Sequence, residues 1–76
     1  MSTLDTVRGV VARVARCAEQ DIIPEMALKD VKADSLHWVQ IIVGVETEFD
    51  IEIDFDRMRE FTTLEDFVNY IDTLKN

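Results

Sequence analysis

The chain is short of almost everything that small proteins use to do chemistry unaided. In 76 residues it has one cysteine (Cys17), one histidine (His37), one proline (Pro24), one tryptophan (Trp38) and two isolated glycines (Gly9 and Gly44). A single cysteine closes no internal disulfide, and Cys17 with His37 supplies too few soft donors for structural zinc. Two separated glycines build no phosphate-cradling loop. No apolar run approaches the ~18 residues of a membrane span, and no charged N-terminal stretch leads into an apolar one. Neither membrane spanning nor secretion is therefore expected, and the cytoplasm is the expected compartment.

Positive charge is scarce too. Eight Lys and Arg face sixteen Asp and Glu, for a formal charge of −8, and the imbalance is uneven. Residues 1–33 hold five acids and five bases, whereas residues 34–76 hold eleven acids against Arg57, Arg59 and Lys75. Nucleic-acid binding needs clustered Lys and Arg to displace counterions, so it is not expected. An acidic half favours partners with basic docking surfaces. At this length one domain over residues 1–76, with a thin core and little room for an internal cavity, is expected to work at its surface.

What the chain does have is helical periodicity. Leu4, Val7, Val11, Val14 and Ala18 recur at three and four residues, predicting a first amphipathic helix over about 3–18, capped by Ser2 or Thr3. Cys17 reads as a partly buried small hydrophobe near its end. Pro24 prevents a helix through residues 19–33, yet Ile22, Ile23, Met26, Leu28 and Val31 are too apolar for a loose linker. They predict a long first loop folded over the core, with one helical turn near 25–28.

A central helix over about 35–49 begins at Asp34 or Ser35, either of which can cap it. Its apolar stripe reads Leu36, Val39, Val43 and Phe49, widened by Ile41, Ile42 and Val45, so it is expected to be the most surrounded helix. Trp38 falls off that stripe and reads equally as a partner contact or as semi-core filler. Residues 49–55 alternate strictly, which by rule is a strand. No second strand-like run exists to pair with it, so an extended linker is expected, with Phe49, Ile51 and Ile53 inward, Phe55 a fourth candidate, and Asp50, Glu52 and Asp54 outward.

A short helix over 56–61, capped by Asp54 or Asp56, precedes a last helix to about Leu74. That helix starts at a near capping box, Thr63 with Asp66, and carries Leu64, Phe67, Val68, Ile71 and Leu74 on one stripe. The expected fold class is all-α: a four-helix bundle of three longer helices and one short one.

Few constellations here carry chemistry. His37 lies two residues from Ser35 on a helix, a spacing at which side chains do not face each other, so a serine–histidine nucleophilic pair is not expected. Asp50, Glu52, Asp54 and Asp56 resemble the opening of a calcium loop, but the sixth position lacks glycine and the twelfth is Phe61. That leaves only weak, unselective cation binding open. Ser35 remains, beside the free N–H groups of a helix start where a phosphate is favoured.

Ala33-Asp34-Ser35-Leu36, followed by a helix ending Glu46-Thr47-Glu48-Phe49-Asp50-Ile51-Glu52-Ile53, then Thr62-Thr63-Leu64-Glu65-Asp66 and Tyr70-Ile71, resembles the acyl carrier proteins over nearly the whole chain. The resemblance implies a non-catalytic carrier, a monomer whose Ser35 bears a covalent 4′-phosphopantetheine arm flanked by Asp34 and Leu36. A phosphopantetheinyl transferase, with coenzyme A and Mg²⁺, would attach the arm, with Asp34 a contact for it. Acyl groups would travel as thioesters to enzymes with basic patches, docked through Glu46, Glu48, Asp54 and Asp56 and through Leu36, His37, Trp38 and Val39. Ile42, Ile53 and Ile71 are implied liners of any acyl shelter. The chain departs from the family at Lys32, where glycine is usual, and at His37, Trp38 and Gln40. These departures make the first turns of the docking face less negative and point as readily to a specialised pathway, such as polyketide synthesis, as to fatty-acid synthesis. A peptidyl or aminoacyl carrier, or an unmodified helical adaptor for a basic partner, are the alternatives.

Overall fold

The computed structural model describes residues 2–31 and 34–75; Lys32 and Ala33, which precede the expected motif, lie outside the described residues. Helix α1 (Thr3–Ala15) starts where the Ser2 hydroxyl accepts the Asp5 N–H at 3.1 Å. It stops three residues earlier than the periodicity predicts, because Arg16 turns left-handed (φ 58°) and the Arg16 and Cys17 N–H groups both close onto Ala12 O. The chain leaves the helix axis there, so Ala18 and Cys17 are exposed rather than packed.

The loop over 16–31 behaves as the expected lid. Ile22 and Val31 are buried and Met26 and Leu28 half-buried, while Ile23 points outward. Its helical turns fall elsewhere than expected, as 3-10 turns at Glu19–Asp21 and Leu28–Asp30. The lid is tied to the start of the last helix. Pro24 O accepts the Glu65 N–H (2.9 Å), Met26 O accepts the Leu64 N–H (3.0 Å), and the Leu28 N–H donates to Thr62 O (2.9 Å). Loop carbonyls thus satisfy donors that a helix N-terminus leaves without intrahelical partners.

Helix α2 (Ser35–Phe49) buries Ile41, Ile42 and Val45 and half-buries Trp38 and Phe49. Leu36, Val39 and Val43, expected on the core stripe, are 64%, 44% and 53% exposed. The reason is that α2 carries two apolar stripes of helical period, and periodicity does not say which faces in. The stripe with Trp38, Ile41, Val45 and Phe49 offers the larger surface, and the core takes that one. Helix α2 is therefore not wholly surrounded; one apolar face is open to solvent.

At Gly44 an added Cβ would lie 2.9 Å from Val10 Cγ1, so α1 packs tightly against α2 there. Gly44→Ala would gain about 1 kcal/mol of helix propensity but press a methyl into a buried Val10, an overpacking cost of about 1–3 kcal/mol. A net loss of about 1 kcal/mol is expected, read as a lower urea midpoint at unchanged slope.

Asp50 turns left-handed (φ 54°) to end α2, and residues 51–54 form the expected extended linker, not a strand. The Ile53 N–H donates to the Glu46 carboxylate (2.8 Å) and the Asp54 N–H to the Tyr70 hydroxyl (3.1 Å), so side chains take the bonds a sheet partner would have made. Ile51 and Ile53 are half-buried, but Phe55 is 48% exposed. A 3-10 helix (Phe55–Glu60) follows, with Asp54 Oδ1 accepting the Asp56 N–H at 3.0 Å.

Helix α3 (Leu64–Leu74) opens on a full capping box between Thr63 and Asp66. The Thr62 and Thr63 backbone N–H groups, at 3.0 and 3.1 Å, hold the exposed Asp66 carboxyl below its ordinary value. A depressed folded-state carboxylate contributes stability above its unfolded pKa and loses it as pH falls through the folded one. Asp66→Asn is therefore expected to lower stability at neutral pH, with the gap to wild type closing in acid below the ordinary Asp range. Parallel urea titrations across pH check this.

The core gathers Val7 and Val11 of α1, Ile41 and Val45 of α2, and Leu64, Phe67 and Ile71 of α3, all 0% exposed. At the start of α1, buried Thr3 donates to Asp72 Oδ1 and accepts from Lys75 Nζ, fastening the ends of α1 and α3. Among the described residues, three α-helices and the 3-10 helix Phe55–Glu60 make up the expected architecture, with the two lid turns besides.

Candidate functional site

Asp34, not Ser35, is the cap of α2. Its carboxylate accepts the His37 N–H at 2.9 Å, while His37 Nδ1 sits 3.4 Å from the Asp34 N–H and completes a reciprocal box. Glutamate or glutamine usually fills that third position. Ser35 is consequently the first residue of the helix. It is exposed, and among the described residues its hydroxyl has no hydrogen-bond partner. A polar group with neither a structural bond nor burial is free for something else. His37 is occupied with Asp34, which agrees with the expectation that it does not activate Ser35.

Beside Ser35 lies a cleft of about 610 Å³ between the start of α2, the Leu28 turn and the 3-10 helix. Its apolar lining is Leu28, Trp38, Ile42, Phe55, Met58 and Phe61, and its polar lining is Ser35, Asp34, Lys29, Asp56 and Arg59. The composition read for little internal room; the space that exists is a surface cleft. Of the implied liners, Ile42 reaches it. Ile71 does not, being fully buried in the core, nor does Ile53, which is turned in under the linker that Glu46 pins. Trp38 packs as semi-core filler, its ring meeting Phe67 edge-on with centroids 6.3 Å apart, and it also lines the cleft. Periodicity gave no sign of Lys29, Met58, Arg59 or Phe61, because the lid and the 3-10 helix bring them in from distant parts of the chain.

The acids expected to dock partners are not equivalent. Glu48, Asp54 and Asp56 are exposed, whereas Glu46 is half-buried with one oxygen committed to the Ile53 N–H. Leu36 and Val39 stand on the open apolar face of α2, with His37 half-buried beside them. Among the described residues no three His, Cys, Asp or Glu side chains converge as metal donors, and no helix is long and apolar enough to cross a membrane.

Residues 5–71 match the family model described as a phosphopantetheine attachment site. The chain is 37% identical over 76 residues to an acyl carrier protein of Campylobacter jejuni subsp. doylei and to one of Campylobacter jejuni strain RM1221, covering 99% of both chains in each pairing. It is 36% identical, over the same share, to an acyl carrier protein of Campylobacter jejuni subsp. jejuni serotype O:23/36. The family match and these full-length relatives make the chain a phosphopantetheine-bearing carrier, a protein that holds its cargo without acting on it. The chain belongs to the acyl carrier protein family. Its prosthetic group is a covalently attached 4′-phosphopantetheine, and the site's composition suits such a group, with a free hydroxyl at the edge and an apolar cleft next to it.

Proposed function

We propose that Ser35 Oγ is the attachment point of the 4′-phosphopantetheine, and that the chain delivers acyl thioesters to enzymes of fatty-acid, polyketide or related specialised biosynthesis. It would do so as a cytoplasmic monomer, residues 1–76 acting as one unit. The observation that carries the reading is the exposed, unpartnered Ser35 hydroxyl at the first position of α2, capped by its neighbour rather than by itself. When bound, the group supplies a terminal thiol that holds the acyl cargo.

The chain's own residues supply orientation and docking. The Asp34 cap fixes the first turn, so Ser35 is presented on rigid backbone to a phosphopantetheinyl transferase working with coenzyme A and Mg²⁺, and Asp34 is a contact for that enzyme. Glu48, Asp54 and Asp56 steer basic partner surfaces from outside, and Glu46 adds its second oxygen. Leu36 and Val39, with Trp38 and His37 at the margin, give the apolar contact that charge steering alone lacks. The cleft beside Ser35, with Ile42 and Trp38 in its wall, is where an acyl chain would be sheltered. Relatives named acyl carrier proteins along their full length favour acyl over aminoacyl or peptidyl cargo.

Incubation with coenzyme A, Mg²⁺ and a broad-specificity transferase tests the reading by intact mass. A gain of one phosphopantetheinyl group supports it. No gain, while a known carrier is converted in the same tube, would return the chain to an unmodified adaptor.

A further inference from the structure

Two cations line the cleft beside Ser35 in the most acidic part of the molecule, Lys29 from the lid and Arg59 from the 3-10 helix. Of the three bases in residues 34–76, Arg57 pairs with Glu60 (3.2 Å) and Lys75 with Asp72 (3.9 Å). Arg59 makes no hydrogen bond or ion pair among the described residues, and neither does Lys29. The contrast is sharpest within the 3-10 helix, where residues three apart eclipse. Arg57 and Glu60 close at that spacing, whereas Asp56 and Arg59, at the same spacing and both lining the cleft, stay apart. The other acid there, Asp34, is committed to capping α2. The cleft therefore holds two cations that have no ion-pair partner among the described residues, beside the carboxylates of Asp34 and Asp56, in a chain whose net charge is −8.

We infer that Lys29 and Arg59 are an anion-holding pair for the phosphodiester of the arm, which they draw from solvent against the cleft. This rests on Ser35 being the attachment point. Given that, the phosphodiester is an anion already anchored at the cleft's edge, and needs no recruitment. Ser35, Lys29 and Arg59 line the same cleft, so a phosphate on Ser35 shares it with both cations, and the attraction weakens as salt screens it. The planar guanidinium of Arg59 suits a phosphate's paired oxygens, and the Lys29 ammonium adds a point charge. Between them they offset the repulsion that the Asp34 carboxylate imposes on an anion bonded to the next residue. The pantetheine beyond the phosphate then meets Trp38, Met58 and Phe61, and the arm rests folded until a partner's basic surface competes for the phosphate.

The test uses the whole chain before and after conversion by a transferase, with conversion confirmed by intact mass. The Arg59 Nε–H and the phosphorus NMR signals are followed between about 0.02 and about 0.5 M salt. Expected are a shift of the Arg59 signal on conversion, lost at high salt, and a phosphorus signal that K29Q/R59Q moves to where high salt moves the wild type. Arg57→Gln, whose partner is Glu60 outside the cleft, should leave the phosphorus signal in place. A converted chain in which the Arg59 signal never shifts, and whose phosphorus signal ignores both salt and the double substitution, overturns the inference while leaving the carrier reading intact. The salt series on the unaltered chain decides this even if the double variant misfolds. A chain that gains no mass overturns the Ser35 reading, and the inference with it.

Discussion

Ser35→Ala is expected to abolish loading completely while leaving the fold unchanged within about 0.5 kcal/mol. The two halves of that expectation come from different observations. Loss of loading follows from the chemistry, because a phosphodiester needs the Oγ and alanine has none. Retention of stability follows from the structure, because the hydroxyl is exposed and unpartnered and the cap of α2 is Asp34. Surface substitutions away from caps and cores usually cost no more than this. Asp34→Ala makes the opposite case. It removes the acceptor of the His37 N–H (2.9 Å) and should cost about 1 kcal/mol, as cap losses do, while the Ser35 hydroxyl remains available. Intact mass after transferase treatment and urea denaturation, run on both variants, separate the roles of two adjacent residues. A Ser35→Ala variant that still gains mass would place the arm elsewhere. One that lost more than about 1 kcal/mol would make Ser35 a structural residue after all.

The order of helices was legible because each α-helix start carries a local chemical signal. Thr63 with Asp66 announced α3, Asp34 or Ser35 announced α2, and Pro24 kept a helix from running through the first loop. Residues 49–55 show why one signal must be weighed against the rest of the chain. Their alternation is that of a strand, yet nothing existed to pair with them, and the structure settles the unpaired groups on the Glu46 carboxylate and Tyr70 hydroxyl. The inward face of α2 was not legible. Two apolar stripes at helical spacing are equivalent until three-dimensional packing chooses between them, and Leu36, Val39 and Val43 lost that choice. The end of α1 was missed for a related reason, since Arg16 adopts a left-handed conformation that glycine normally announces. Ser35 stood out in the sequence; the cleft beside it did not, because Leu28, Lys29, Met58 and Arg59 meet Trp38 only through tertiary folding.

Phe67→Ala is expected to cost about 3–5 kcal/mol, the range for emptying a buried aromatic site. A 76-residue chain at typical density has about 4–11 kcal/mol in total, so this substitution removes about a quarter of it or more, and all of it at the low end. Phe67 is 0% exposed and heads the largest fully buried side chains, and its surroundings cannot readily collapse onto the space it leaves. Trp38 meets its ring edge-on at 6.3 Å, and Phe61 lies tilted at 6.4 Å with its own contact to Tyr70 at 5.2 Å. Both Trp38 and Phe61 also line the cleft beside Ser35, so the ring that completes the core also supports the wall of the site. Damage should therefore reach the site before global unfolding is complete. Trp38 is the sole tryptophan, and its fluorescence reports this directly, with a broadened, red-shifted emission in the variant without denaturant and a sharply lowered urea midpoint. Phe67→Leu, which keeps most of the volume, should cost less than half as much and restore a cooperative transition. A Phe67→Ala loss under about 1 kcal/mol would mean that α3 is held mainly by the lid hydrogen bonds at Leu64 and Glu65, and not by the side chain that the core closes around.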